Sequence, residues 1–191
     1  MHDVSSPYVM GSDRLLFRPF TQSDASLIYE LDSDPDTMQF ISKGKATPLE
    51  RIEQEILPRW LTHYDQPLPI GMWATYESKS EAFIGWMCIK PDRFIPEMEL
   101  GYRFKRPFWG KGYATEGSKL LINQAFTVGG LDRLTAHTLE YNHRSRRVME
   151  KCGFRFQYSF VYDEEVLPGW TEQERQAVRY GLSRKEWKAR A

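Results

Sequence analysis

Between Met98 and Lys105 the chain alternates: Met98, Leu100, Tyr102 and Phe104 are apolar or aromatic, and Glu99, Gly101, Arg103 and Lys105 lie between them. This period of two predicts a strand with one buried face. Beyond Gly112, Tyr113, Ala114, Leu120, Leu121, Ala125 and Phe126 recur at roughly helical spacing, so the strand passes into a helix through Arg106-Pro-Phe-Trp-Gly-Lys-Gly112.

The remaining pattern places further elements around this unit. Arg14 to Pro19 reads as a short strand, and Thr21 with Asp24 as the N-cap and acid of a helix running to about Leu31. Asp34-Pro35 reads as a turn. A second helix is expected from Thr47-Pro48-Leu-Glu50, with Glu50 closing a capping box and Pro58 ending or kinking the helix. The two helices are expected to flank a substrate groove. Met72–Tyr76 and Ala82–Ile89 read as a hairpin, in which Gly85 marks a bulge, a close backbone approach or a packing requirement.

Arg133–Leu139 reads as a strand, followed by a helix opened at Asn142 or Ser145 and stopped by Gly153. Phe154–Tyr162 and Ala177–Ser183 complete the strands, with Asp163 to Glu172 as a surface loop between them. Residues 1–11 read as a polar lead-in and 184–191 as a tail. Strands with helices inserted between them imply one α/β domain, 1–191, built on a mixed sheet.

Composition narrows the classes of function. The 26 basic and 26 acidic residues cancel, which removes any bulk-charge argument for nucleic acid or an anionic membrane as partner. No apolar run approaches the roughly 20 residues that span a bilayer, and the first residues lack signal-peptide order, so a cytoplasmic protein is expected. Cys88 and Cys152 read as reduced core residues. His63, His137 and His143 have no carboxylate or cysteine at ligand spacing along the chain, and no metal is expected.

The turn carries the chemistry. Gly110 and Gly112 allow backbone N–H groups to close around an anion at the start of the following helix, an arrangement suited to a pyrophosphate. Lys111 between the glycines departs from both the dinucleotide fingerprint and the Walker A loop. A purely structural tight turn would carry the same glycines.

Taken with Asn142-His-Arg-Ser-Arg-Arg-Val-Met-Glu-Lys-Cys-Gly-Phe154, the block Trp109-Gly-Lys-Gly-Tyr-Ala-Thr-Glu116 resembles the GNAT N-acetyltransferases. With Asp13-Arg-Leu-Leu-Phe-Arg-Pro-Phe-Thr-Gln-Ser-Asp24 as a third block, residues 13–156 are similar to the RimJ/RimL-like branch, whose founding members acetylate N-terminal amines of ribosomal proteins. Pro107 departs from the Gln or Arg that often opens the superfamily's phosphate loop.

The resemblance implies a mixed, mostly antiparallel twisted sheet, splayed at a central parallel strand pair near a bulge and flanked by helices on both faces. It implies acetyl-CoA held by Phe104, Lys105, Trp109, Gly110, Lys111, Gly112, Tyr113, Ala114, Thr115 and Asn142, with charge from Arg106 or Lys111. A backbone N–H near Leu100 to Tyr102 would polarise the thioester carbonyl.

Ser145 would serve the leaving sulfur, with Tyr141 as a substitute acid. Glu99 and Glu164 compete as general base, and Glu97 stands behind them. Plain alternatives are an N-cap for Asn142, solvated charges for the glutamates and an exposed basic face for Arg144, Arg146, Arg147 and Lys151, which could also meet the 3′-phosphate of CoA.

The implied reaction moves an acetyl group to a primary amine, with a protein N-terminus as the leading acceptor and a polyamine or antibiotic as the alternative. A non-catalytic acyl-CoA-binding module is the rival reading. The chain would act as a monomer or a homodimer.

Overall fold

The computed structural model describes residues 8–190. Its eight strands are β1 (Met10–Gly11), β2 (Leu15–Pro19), β3 (Gly71–Glu77), β4 (Phe83–Pro91), β5 (Met98–Phe104), β6 (Arg133–Leu139), β7 (Arg155–Val161) and β8 (Gln176–Ser183). They form one sheet in the order β1-β2-β3-β4-β5-β6-β8-β7. Every neighbouring pair is antiparallel except β5 and β6.

The helices are α1 (Ala25–Asp32), α2 (Pro35–Ser42), α3 (Leu49–Arg51), α4 (Leu57–Leu61), α5 (Tyr113–Thr127), α6 (His143–Lys151) and α7 (Arg184–Lys188). The two apolar layers follow the strand alternation. Leu15, Phe17, Ile84, Met87, Leu100, Phe104, Leu134 and Ala136 pack with Leu121, Ile122, Ala125 and Phe126 of α5. On the opposite face Met72, Ala74, Trp86 and Cys88 pack with Ile28 and Leu31 of α1 and with Ile52, Leu57 and Trp60. Excluding these side chains from water on both faces is what holds helices against each side of the sheet.

Parallel pairing of β5 and β6 covers only two steps, Met98 with Leu134 and Glu99 with Thr135. From Leu100 onward β5 keeps β4 on one side and, among the described residues, has no strand partner on the other. The sheet is therefore splayed at its parallel pair, but without the expected bulge in β5, whose register with β4 is unbroken from Met98 to Phe104. The nearest irregularity lies one strand away, between Thr75 and Tyr76, which face Gly85 and Phe83 and leave Ile84 as the extra residue. Gly85 is the tight approach there: at φ +148°, a Cβ on it would sit 2.1 Å from the Arg103 carbonyl oxygen.

Several local expectations need correction. Met10–Gly11 pairs with Phe17 and Leu16, so the 1–11 lead-in ends as an edge strand; its first seven residues lie outside the described ones. Asp34-Pro35 starts α2, because Asp34 accepts the Asp36 N–H as N-cap and Pro35 fits the first helical turn. Thr47 makes no capping box with Glu50; its hydroxyl donates to Asp32 Oδ2 at 3.0 Å and ties this segment to the end of α1. The helix continues past Pro58 because a π-helical stretch, Ile52–Ile56, takes up the backbone just before the proline that cannot donate. The tail starts as α7, capped by the Ser183 and Glu186 pair.

Candidate functional site

The turn after β5 is built by its own side chains. Pro107 sits in a 3₁₀ turn over Arg106–Phe108, and the Trp109 indole N–H donates to the Phe104 carbonyl at 2.6 Å, folding the chain back on the strand end. Gly110 and Gly112 then adopt φ of +74° and +85°, conformations that side chains disfavour, and Gly112 is the N-cap of α5. A Cβ added at Gly110 would meet nothing within 4 Å among the described residues, so this backbone stands open. The first turn of α5, from Tyr113 to Thr115, follows directly, and its N–H groups have no partner within the helix, so helix polarity favours an anion at this end.

Cations ring the turn unequally. Lys111 Nζ lies 5.2 Å from the Phe108 ring centre, and the Arg144 guanidinium 5.2 Å from that of Trp109. Lys105 and Arg106 point elsewhere: Lys105 pairs with Glu30 of α1 at 2.7 Å, and Arg106 with Asp36 of α2 at 2.5 Å. They tie the end of β5 to the helices on the far face. Arg146 turns inward to the Glu140 carbonyl at 3.0 Å and the Tyr180 hydroxyl at 3.3 Å.

Between the diverging strands, Tyr102 of β5 meets Ser145 of α6, their oxygens 3.4 Å apart with the phenol as donor. Burial pushes the Tyr102 phenol up to about 12, so it keeps its proton at neutral pH. Asn142 is the N-cap of α6: its Oδ1 accepts the Ser145 N–H at 3.2 Å, and its Nδ2 donates to Thr138 Oγ1 at 3.1 Å. Tyr141 lies 40% exposed at the rim with its ring against Phe40.

The three glutamates have different settings. Glu97 pairs with Arg133 at 3.1 Å. Glu99 projects onto the α1 face, bound to Lys90 and 3.3 Å from His137 Nε2. Burial alone would raise its carboxyl, but the hydrogen bonds and charges of His137 and Lys90 hold it down to about 2, which makes it a poor proton acceptor. Glu164 is exposed on the loop after β7 and, among the described residues, has no hydrogen-bond or ion-pair partner.

Sequence spacing did not bring His137 into view, yet it lies beside two carboxylates. Asp92, Glu99 and His137 place ligand-type atoms within 4.8 Å of one another. Both carboxylates already face cations, Asp92 with Arg179 at 2.7 Å and Glu99 with Lys90, so a divalent ion would have to displace them. On its other side His137 Nδ1 meets the Tyr162 hydroxyl at 2.5 Å, within a ring of Phe94 and Phe160. The one available sequence signal was Arg179, a charge in the otherwise apolar run Ala177-Val-Arg-Tyr180, where a buried arginine demands a buried acid.

A split parallel pair, an open glycine turn at a helix start and a hydroxyl pair between them fit a thioester laid along β5 with its phosphates at α5. Comparisons with known proteins bear on the fold and the reaction. The family model described as Acetyltransferase (GNAT) domain matches residues 14–155. A relative from Aspergillus fumigatus, named FsC-acetyl coenzyme A-N(2)-transacetylase, is 28% identical over 96% of this chain and 80% of its own. A GNAT-family acetyltransferase structure from Bacillus anthracis superposes with a TM-score of 0.73 at 22% identity, covering 92% of this chain and 98% of that one. A Vibrio cholerae spermidine N-acetyltransferase, solved with CoA and spermine, gives 0.72 at 17% identity over 93% and 99%. The family match spans about three quarters of the sequence and includes both the glycine turn and the α6 block, and the chain therefore belongs to the GNAT family as an acetyl-CoA-dependent N-acetyltransferase.

Proposed function

We propose that this enzyme, of the RimJ/RimL-like type, acetylates the primary amine of a small molecule. The observation carrying the acceptor class is a bridge between α2 and the loop after β7. Lys43, at the end of α2, pairs with Glu174 at 2.8 Å and with the Gly169 carbonyl at 3.2 Å, tying α2 to the loop after β7. In this reading the tie narrows the acceptor side, which suits a small amine, whereas a protein N-terminus brings several following residues that need an open groove. The A. fumigatus relative is itself named for acetyl transfer to one nitrogen, N(2), of a single acceptor, FsC. The similarity of residues 13–156 to the RimJ/RimL-like branch favours a protein N-terminal amine as the second reading.

In this reading Gly110, Gly112 and the first turn of α5 hold the pyrophosphate through backbone N–H groups, with Lys111 and Arg144 supplying charge. The pantetheine arm lies along the unpaired edge of β5. Holding thioester and amine together supplies on the order of 7–11 kcal/mol of the barrier reduction. Ser145, backed by the Tyr102 phenol, gives a proton to the departing thiolate. Asn142 acts indirectly, fixing Ser145 through the helix cap. Glu164, unencumbered, takes the proton from the amine, and Glu99 holds His137 rather than serving as base.

The test is release of free CoA thiol from acetyl-CoA with two acceptor panels, small primary amines and peptides with free N-termini. Turnover with a small amine and none with peptides supports the proposal. Turnover confined to peptides overturns the acceptor class, and thiol release with neither panel turns attention to the non-catalytic binding module.

A further inference from the structure

Outside the elements that build the turn, one side chain reaches it from the far end of the sequence. Arg14, entering β2, donates from Nη1 to the Lys111 carbonyl at 3.0 Å and from Nε to Glu116 Oε2 at 2.7 Å. Its guanidinium carbon lies 4.7 Å from the Tyr113 ring centre. Two further donors join in: the Arg14 backbone N–H donates to Glu116 Oε1 at 3.0 Å and the Ser12 hydroxyl to the same oxygen at 2.7 Å.

We infer that Arg14 is a positioning residue for acetyl-CoA, holding the glycine turn in its phosphate-binding form and cancelling the charge of Glu116. The inference rests on reading Gly110–Gly112 as the pyrophosphate site. Two observations carry it. In a trans peptide the C=O and N–H of one unit point in opposite directions, so anchoring the Lys111 carbonyl to Arg14 turns the Gly112 N–H away from Arg14. Glu116 lies in the first turn of α5, where a bare carboxylate would oppose a bound anion at the same helix start; Arg14 faces it with two nitrogens. Arg14 thus acts on the site through Lys111 and Glu116, which lie 97 and 102 residues away in sequence.

The charge half of the inference has a distinctive sign. Arg14→Gln leaves Glu116 uncompensated beside the site and is expected to weaken acetyl-CoA binding about tenfold, or about 1.4 kcal/mol. Adding Glu116→Gln removes the repulsion, so the double variant is expected to recover to within about threefold of wild type. A merely structural brace predicts the opposite, with the second substitution adding to the damage. Arg14→Lys keeps the cation but loses the fork, and should fall between wild type and Arg14→Gln.

Calorimetric titration with acetyl-CoA, with melting temperature as the folding check, decides it. Weakening by Arg14→Gln that Glu116→Gln reverses supports the inference. A double variant as weak as the single one, or Arg14→Lys and Arg14→Gln both binding like wild type, overturns it. Should Arg14→Gln not fold, Glu116→Gln alone decides it: acetyl-CoA binding at least as tight as wild type supports the inference, and weaker binding overturns it. Gly110→Asp separates the underlying reading: if it too leaves the affinity unchanged, the turn is not the pyrophosphate site and the failure lies there rather than with Arg14.

Discussion

The two sides of the split sheet are made of different materials. On the α5 side the site consists largely of backbone: an unpaired strand edge after Glu99, two glycines in left-handed conformations and the start of a helix. On the α1 side it consists of side-chain pairs, Arg103 with Asp32, Lys105 with Glu30, Arg106 with Asp36 and Asp92 with Arg179. A backbone site is harmed by adding atoms, whereas a side-chain site is harmed by removing them. One side can keep a common ligand while the other changes its acceptor.

The sharpest way to break this contrast is to add a single methyl group. Gly85→Ala would place a Cβ at 2.1 Å from the Arg103 carbonyl and force β4 away from β5, at an expected loss of more than about 3 kcal/mol in urea unfolding. Stability within about 0.5 kcal/mol of wild type would show that the splayed pair tolerates rearrangement.

Next in size is Ser145→Ala. With the Tyr102 phenol left without its acceptor, kcat should fall about 100-fold, or about 2.7 kcal/mol of barrier, while the KM for acetyl-CoA stays within about threefold. An unchanged kcat would remove the hydroxyl from the reaction and leave only its place in α6.

The α1 side should reveal itself through pH. The Glu99 carboxyl lies near 2 in the folded chain against an ordinary value of 4.5, so its stabilisation is present above about pH 4.5 and is lost as pH falls toward 2. The loss is on the order of 3 kcal/mol. Glu99→Gln should flatten the fall in urea midpoint between pH 5 and pH 3 while leaving the kcat profile near neutrality unshifted. A shift of that profile would make Glu99 the base after all.

The same contrast explains what could be read from the sequence. A backbone site leaves a local mark, since glycines must stand at fixed spacing between a strand and a helix, and so the turn, β5, α5 and the α6 block were all legible. The side-chain network joins residues 71 apart in Arg103 and Asp32, 87 in Arg179 and Asp92, and 131 in Lys43 and Glu174, separations that no periodicity records. His137 read as isolated for that reason, and Arg14 only as the start of a strand. The α2 helix was hidden by Asp34-Pro35, a pair that can open either a turn or a helix; here Asp34 caps and Pro35 fits the first turn. Pro58 misled because a π-helical stretch can absorb a proline that an ideal helix cannot.

If backbone at Gly110 and Gly112 holds the acetyl-CoA pyrophosphate, affinity must respond to charge at Gly110, and a matched pair of variants there reads that response. The position is open, and both Asn and Asp tolerate its left-handed conformation, so Gly110→Asn and Gly110→Asp differ mainly by one negative charge. In calorimetric titration with acetyl-CoA, Gly110→Asn should bind within about threefold of wild type and Gly110→Asp at least about tenfold more weakly, both with unchanged melting temperature. Equal affinity in the two variants would contradict the account, because a carboxylate could then sit at this turn without sensing a bound phosphate.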